Sequence, residues 1–70
     1  MERAEKVASK ARELVEQGKK PSAMLLSREL DIHESDIHRC LNALERDGDI
    51  ETYTREVFGT RHRMVGVNRD

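Results

Sequence analysis

Apolar residues recur along this chain in three helical stripes, followed by two short β-favouring runs. Ala4, Val7, Ala8, Ala11, Leu14 and Val15 are spaced at i, i+3, i+4, i+7, i+10 and i+11, with Glu, Lys and Arg prominent among the other positions. That spacing is one face of an amphipathic helix and predicts helix one from about Glu2 to Gln17. Gly18 is the expected C-terminal stop, and Pro21 blocks continuation. Ser22 is placed to cap a second helix with Ala23, Leu26 and Leu30 inward and Met24 or Leu25 at the edge. Asp31-Ile32-His33 reads as a turn, with Ile32 the apolar residue inserted between two helices. Ser35, flanked by Glu34 and Asp36, suits the start of a third helix, because side-chain oxygens and negative charge complement unpaired N–H groups. Ile37, Cys40, Leu41 and Leu44 form its inward stripe, and Gly48 ends it.

Beyond Gly48 the composition changes. Ile50 to Glu56, with Val57 beyond, favours β structure. Phe58-Gly59-Thr60 carries the turn signal, and Arg61 to Val67 returns as the partner strand. On that strand Val65 and Val67 share a face with Arg61 and Arg63. The valines are expected against the helices and the arginines further out, where the ribbon leaves the core. Two helices joined by so short a turn cross steeply, as in a helix-turn-helix. The predicted fold is therefore α+β: a winged helix-turn-helix of three helices followed by a two-stranded β-hairpin wing, with residues 1–70 as a single domain.

The segments Ser22 to Ile32 and Asp36 to Ile50 resemble the scaffold helix and the recognition helix of winged helix-turn-helix DNA-binding regulators, and the resemblance covers nearly the whole chain. It implies double-stranded DNA as partner and transcription regulation as the role. The spacing is also similar to that of Z-alpha domains, winged helices that bind left-handed nucleic acid. Those place an asparagine and a tyrosine one turn apart on helix three, and a Pro-Pro and a tryptophan in the wing. Here His38 and Asn42 stand at the first two positions, and the wing has neither Pro-Pro nor Trp. The Z-form-reading residues are therefore missing.

Composition narrows the physics more than the function. With 70 residues, 36% hydrophobic and only Tyr53 and Phe58 aromatic, the core must be small and aliphatic and its stability modest. The net charge of −1 hides an uneven distribution. Met1 to Lys20 carries six basic and four acidic residues, Pro21 to Thr54 three and eight, and Arg55 to Asp70 four and two. The hairpin end is basic and the helix-turn-helix acidic. No apolar run is long enough for a membrane span, Met1 to Lys10 lacks the apolar segment of a signal peptide, and a single cysteine forms no internal disulfide, so a cytoplasmic location is expected. The chain stops at Asn68-Arg69-Asp70 almost as soon as the hairpin closes, which leaves room for a longer parent protein.

On the DNA reading, helix three (about residues 34–47) enters the major groove and a basic wing (residues 55–63) lies on the backbone. Ser35, His38, Arg39 and Asn42 face outward as donors; Arg39 would grip a guanine's O6 and N7, and Asn42 an adenine. Arg55, Arg61 and Arg63 would follow the phosphates, and Lys19, Lys20 and Arg28 add contacts near the start of helix two. Each has a plainer reading: a solvated helix face, a solvated turn, or arginines that guard an edge strand against aggregation. Glu34 and Asp36 would repel phosphates. The acidic helix three favours the alternative function, a protein–protein interaction module with little DNA affinity. No enzyme activity, cofactor or metal is expected: His33 and His38 are five residues apart rather than four, and no base is positioned beside Cys40. A monomer of this size contacts only a short site, so specificity calls for a homodimer, a protein partner or a larger parent.

Overall fold

The computed structural model describes residues 2–67, apart from the side chains of Glu2 and Val67. Three helices, α1 (Glu2–Glu16), α2 (Ala23–Leu30) and α3 (Glu34–Arg46), precede strands β1 (Ile50–Val57) and β2 (Thr60–Val67), which pair antiparallel. This is the winged-helix arrangement.

Each helix stops where its backbone chemistry requires. Gly48 has φ +81, its N–H donates to the Glu45 carbonyl at 3.1 Å, and the Asp49 N–H reaches back to Leu44 at 3.0 Å. This paired closure satisfies terminal carbonyls and needs a left-handed residue, which glycine adopts without penalty. The same two bonds end α1 at Gly18, from Gly18 to Val15 and from Lys19 to Leu14. Ser22 caps α2 as expected, its Oγ accepting the Leu25 N–H at 3.1 Å. The α2–α3 turn is held by Ser27, whose carbonyl accepts the Ile32 N–H and whose hydroxyl donates to the Ile32 carbonyl. Ile32 is thereby pressed against the core. Helix α3 begins at Glu34, one residue before Ser35, and its cap is His33, whose Nδ1 accepts the Ser35 N–H at 3.2 Å. Ser35 lies inside the first turn with Glu34 and Asp36, where the two carboxylates still complement the helix dipole.

The core is aliphatic. Val7, Ala8, Ala11 and Leu14 of α1 meet Ala23 and Leu26 of α2, all four predicted residues of α3, Ile50 of β1 and Val65 of β2. Leu25, not Met24, takes the edge of α2: it packs on the core while Met24 is exposed. No polar side chain is buried among the described residues, so the core contributes through apolar packing, at about 1.5–3 kcal/mol for each large aliphatic side chain buried. Among the described residues no helix is long and apolar enough to cross a membrane.

The hairpin corrects the sequence reading in two places. Thr60 pairs with Val57 as the first residue of β2, so the loop is only Phe58-Gly59, with φ +51 and +78. Positive φ at both positions is the tight turn whose twist matches that of the strands. The second correction is a partner for β2 that periodicity could not reveal. Ser22 bridges to Met64, and the Val65 N–H donates to the Pro21 carbonyl at 2.9 Å. The α1–α2 loop thus acts as a rudimentary third strand that ties the wing to the helices. Met64 and Val65 are both buried there, whereas β1 is exposed from Tyr53 to its end. Val65 touches the helices as expected; the Val67 side chain and residues 68–70 lie outside the described residues.

Candidate nucleic-acid interface between helix α3 and the hairpin

The outward face of α3 and the adjoining face of β2 enclose an open groove of about 320 Å³, floored in part by the start of α2. Its lining includes His38 from α3 and Thr54, Arg61, His62 and Arg63 from the hairpin, with Glu34 as the one carboxylate among the described residues that line it. A larger hollow of about 610 Å³ lies between α1 and α2. Its Lys10 is already paired with Glu13 at 3.5 Å and Glu29 at 3.6 Å, so that charge is answered within the protein. The smaller groove is where donors converge.

Arg63 organises it. Strand alternation puts Arg63 on the same face as Val65, and because Val65 is buried Arg63 is carried against α3 rather than out along the ribbon. Its Nη2 donates to Asn42 Oδ1 at 2.9 Å, Thr52 Oγ1 at 3.4 Å and Glu45 Oε1 at 3.5 Å. Its Nη1 lies 3.3 Å from His38 Nδ1 and 3.5 Å from the His38 carbonyl. Only 22% of the Arg63 side chain remains accessible. The expectation that it lies out on the wing is therefore corrected: the guanidinium fork is spent on bracing helix and hairpin.

Thr52, which sequence reasoning did not single out, completes the brace. Its N–H and hydroxyl donate to Glu45 Oε2 at 3.2 and 2.8 Å. These bonds, with Arg63 adding to them, hold the exposed Glu45 carboxyl below its ordinary pKa. The signal in the sequence was slight: a threonine two positions along the strand from buried Ile50 must share its face.

The remaining expected site residues divide. Arg61 is exposed and lines the groove beside His62. Arg55 pairs in register with His62, on the hairpin face opposite Arg61 and Arg63, so the three wing arginines do not form one row. Among the described residues neither Arg55 nor Arg61 has an ion-pair partner. Arg39 is 82% exposed but lies 3.9 Å from Asp36, which also accepts from Arg3 of α1 at 3.2 Å. Ser35 is exposed, with Oγ 2.8 Å from His33 Nδ1. Lys19 and Lys20 are exposed in the loop that leads to Ser22 at the groove. Arg28 is exposed on α2 and does not line the groove.

The three histidines have separate surroundings: His33 caps α3, His38 accepts from Arg63, and His62 pairs across the hairpin. Cys40 is buried in the α3 stripe, and burial pushes its thiol pKa up, with nearby Arg3 pulling the other way. In comparison with known proteins, the chain matches no family model and no curated protein.

Proposed function

We infer that the protein is a small regulator that binds double-stranded DNA, with α3 in the major groove and Arg61 of the wing on the backbone. One observation carries this reading. His38 and Asn42 each offer both a donor and an acceptor, and Arg63, which can only donate, occupies the acceptor atom of both. Asn42 must turn Oδ1 toward the guanidinium, so its amide N–H groups are left for a ligand. His38 must accept at Nδ1, so its proton sits on Nε2. Two ambivalent side chains become donors, beside Arg61 and the hydroxyls of Thr54 and Thr60. A donor-rich groove suits phosphate oxygens and the acceptor atoms of guanine and thymine in the major groove. It suits adenine less well than the sequence suggested, because bidentate adenine reading needs the Asn42 oxygen as an acceptor.

The same brace supports the alternative, a protein-interaction module. Glu45 answers Arg63, Asp36 stands beside Arg39, and Glu34 lies 3.9 Å from His38 Nε2, so little net positive charge is left on α3. Salt titration of duplex binding separates the two. DNA binding through four to six phosphate contacts gives a log–log slope of about −3 to −5, and Arg61→Ala lowers its magnitude by about one. Absence of duplex binding at low salt would replace the DNA reading with the protein-interaction one.

A further inference from the structure

Both aromatic residues of the chain sit outside its core, on the hairpin. A domain this small gains from any aromatic bulk it can bury, yet Tyr53 is 47% exposed and Phe58 fully so, at 103%. Phe58 also takes the first position of the two-residue loop with φ +51, a conformation that Asn, Asp or Gly adopts readily and a bulky side chain does not. A solvated ring on a strained backbone serves folding in neither respect.

Its surroundings suggest what the ring meets. Arg61, three residues beyond Phe58, is exposed and lines the groove, while Arg55, three residues before it, is exposed on the opposite face of the hairpin. Thr60, two residues beyond Phe58, lines the same groove as His38 and Arg61. The ring therefore stands at the tip of the element that walls the groove. Phe58 and the adjacent exposed Val57 are two side chains, short of the contiguous apolar patch of roughly several hundred Å² that marks a protein partner. A flat π surface at the rim of a groove lined by an exposed arginine matches a nucleobase beside its phosphate.

We propose that Phe58 is a stacking wedge: with a duplex in the groove, its ring stacks on an unpaired base beside that duplex, so the preferred ligand is DNA with a bulge or junction. This rests on the duplex-binding reading above. The test uses a fully paired duplex and the same duplex with one unpaired 2-aminopurine, titrated with the full chain and with Phe58→Ala and Phe58→Trp. The unaltered protein should favour the bulged duplex roughly tenfold, the size of one base–aromatic stack, and should quench the 2-aminopurine. Phe58→Trp should keep both effects; Phe58→Ala should bind the paired duplex as before and lose both.

If the unaltered protein binds both duplexes equally, or Phe58→Ala keeps the preference, the wedge is overturned and duplex binding stands. Equal weakening on both duplexes also overturns it, making the ring a general contact. Failure to bind either duplex removes the wedge together with the DNA reading. Sedimentation adds an independent measurement: dissociation of a dimer by Phe58→Ala would make the ring a self-association contact and overturn the wedge.

Discussion

Phe58, Glu45 and Cys40 show how much a single position carries in a domain this small. The left-handed backbone at Phe58 costs about 1–2 kcal/mol for a side chain with a Cβ. Phe58→Gly and Phe58→Asn should therefore stabilise the fold by about 1 kcal/mol in chemical denaturation, a gain set against any binding the ring provides. Glu45 has its pKa lowered in the fold, so its contribution is present above the ordinary carboxylate range and is lost as pH falls through the folded value. Urea unfolding from about pH 6 down to about pH 3 should show that loss, and Glu45→Gln should flatten it. Cys40 behaves in the opposite sense. Its raised thiol pKa means that its contribution is fully present below the ordinary thiol range, about pH 8.5, and is lost as pH rises above it. Above the unfolded thiol's pKa the unfolded chain has lost its proton while the folded chain keeps it, so ionisation favours the unfolded state and stability declines. In the native protein a thiol reagent should react with Cys40 far more slowly than after denaturation.

At the scale of elements, α3 belongs to the core and the groove at once. Its inner residues are buried between α1, α2 and the hairpin, and its outer residues line or brace the groove. Leu41→Ala should cost about 2–5 kcal/mol, since Leu41 is wholly buried and truncation leaves a cavity. Gly48→Ala tests the closure between α3 and β1. A Cβ there meets nothing within 4 Å, so the expected loss of about 1 kcal/mol is backbone strain alone. The hairpin is held at its base by Ile50, Val65 and the Pro21 bond and is free at its tip. Amide exchange should accordingly be slowest in α3 and the base of the strands, and fastest around Phe58-Gly59.

At the scale of the molecule, Arg63 makes helix and wing one rigid surface. Removing it should do more than remove one positive charge. On the proposed DNA-binding function, Arg63→Ala should erase sequence preference by freeing His38 and Asn42, whereas Arg61→Ala should weaken all sequences alike; competition between duplexes of different sequence measures the difference. Arg63→Lys should fail to restore the preference, because a point charge cannot span His38, Asn42 and Thr52 as the planar guanidinium does.

Local pattern alone determined the three helices, the glycine stops of α1 and α3, the inward stripe of α3 and the existence of the hairpin. Each follows from local rules: a 3.6-residue repeat, a left-handed stop, alternation along a strand. The folded structure alone decided the pairing of the α1–α2 loop with β2, the His33 cap, the split of the arginines between two hairpin faces, and the capture of Arg63 by α3. Most of those depend on which faces meet between distant parts of the chain, and a one-residue shift in strand register would abolish the arginine split by putting all three on one face. Arg63 and Arg61 look alike in the sequence. Only the Arg63 guanidinium is drawn into the network on α3, and that placement separates a bracing arginine from one open to a ligand.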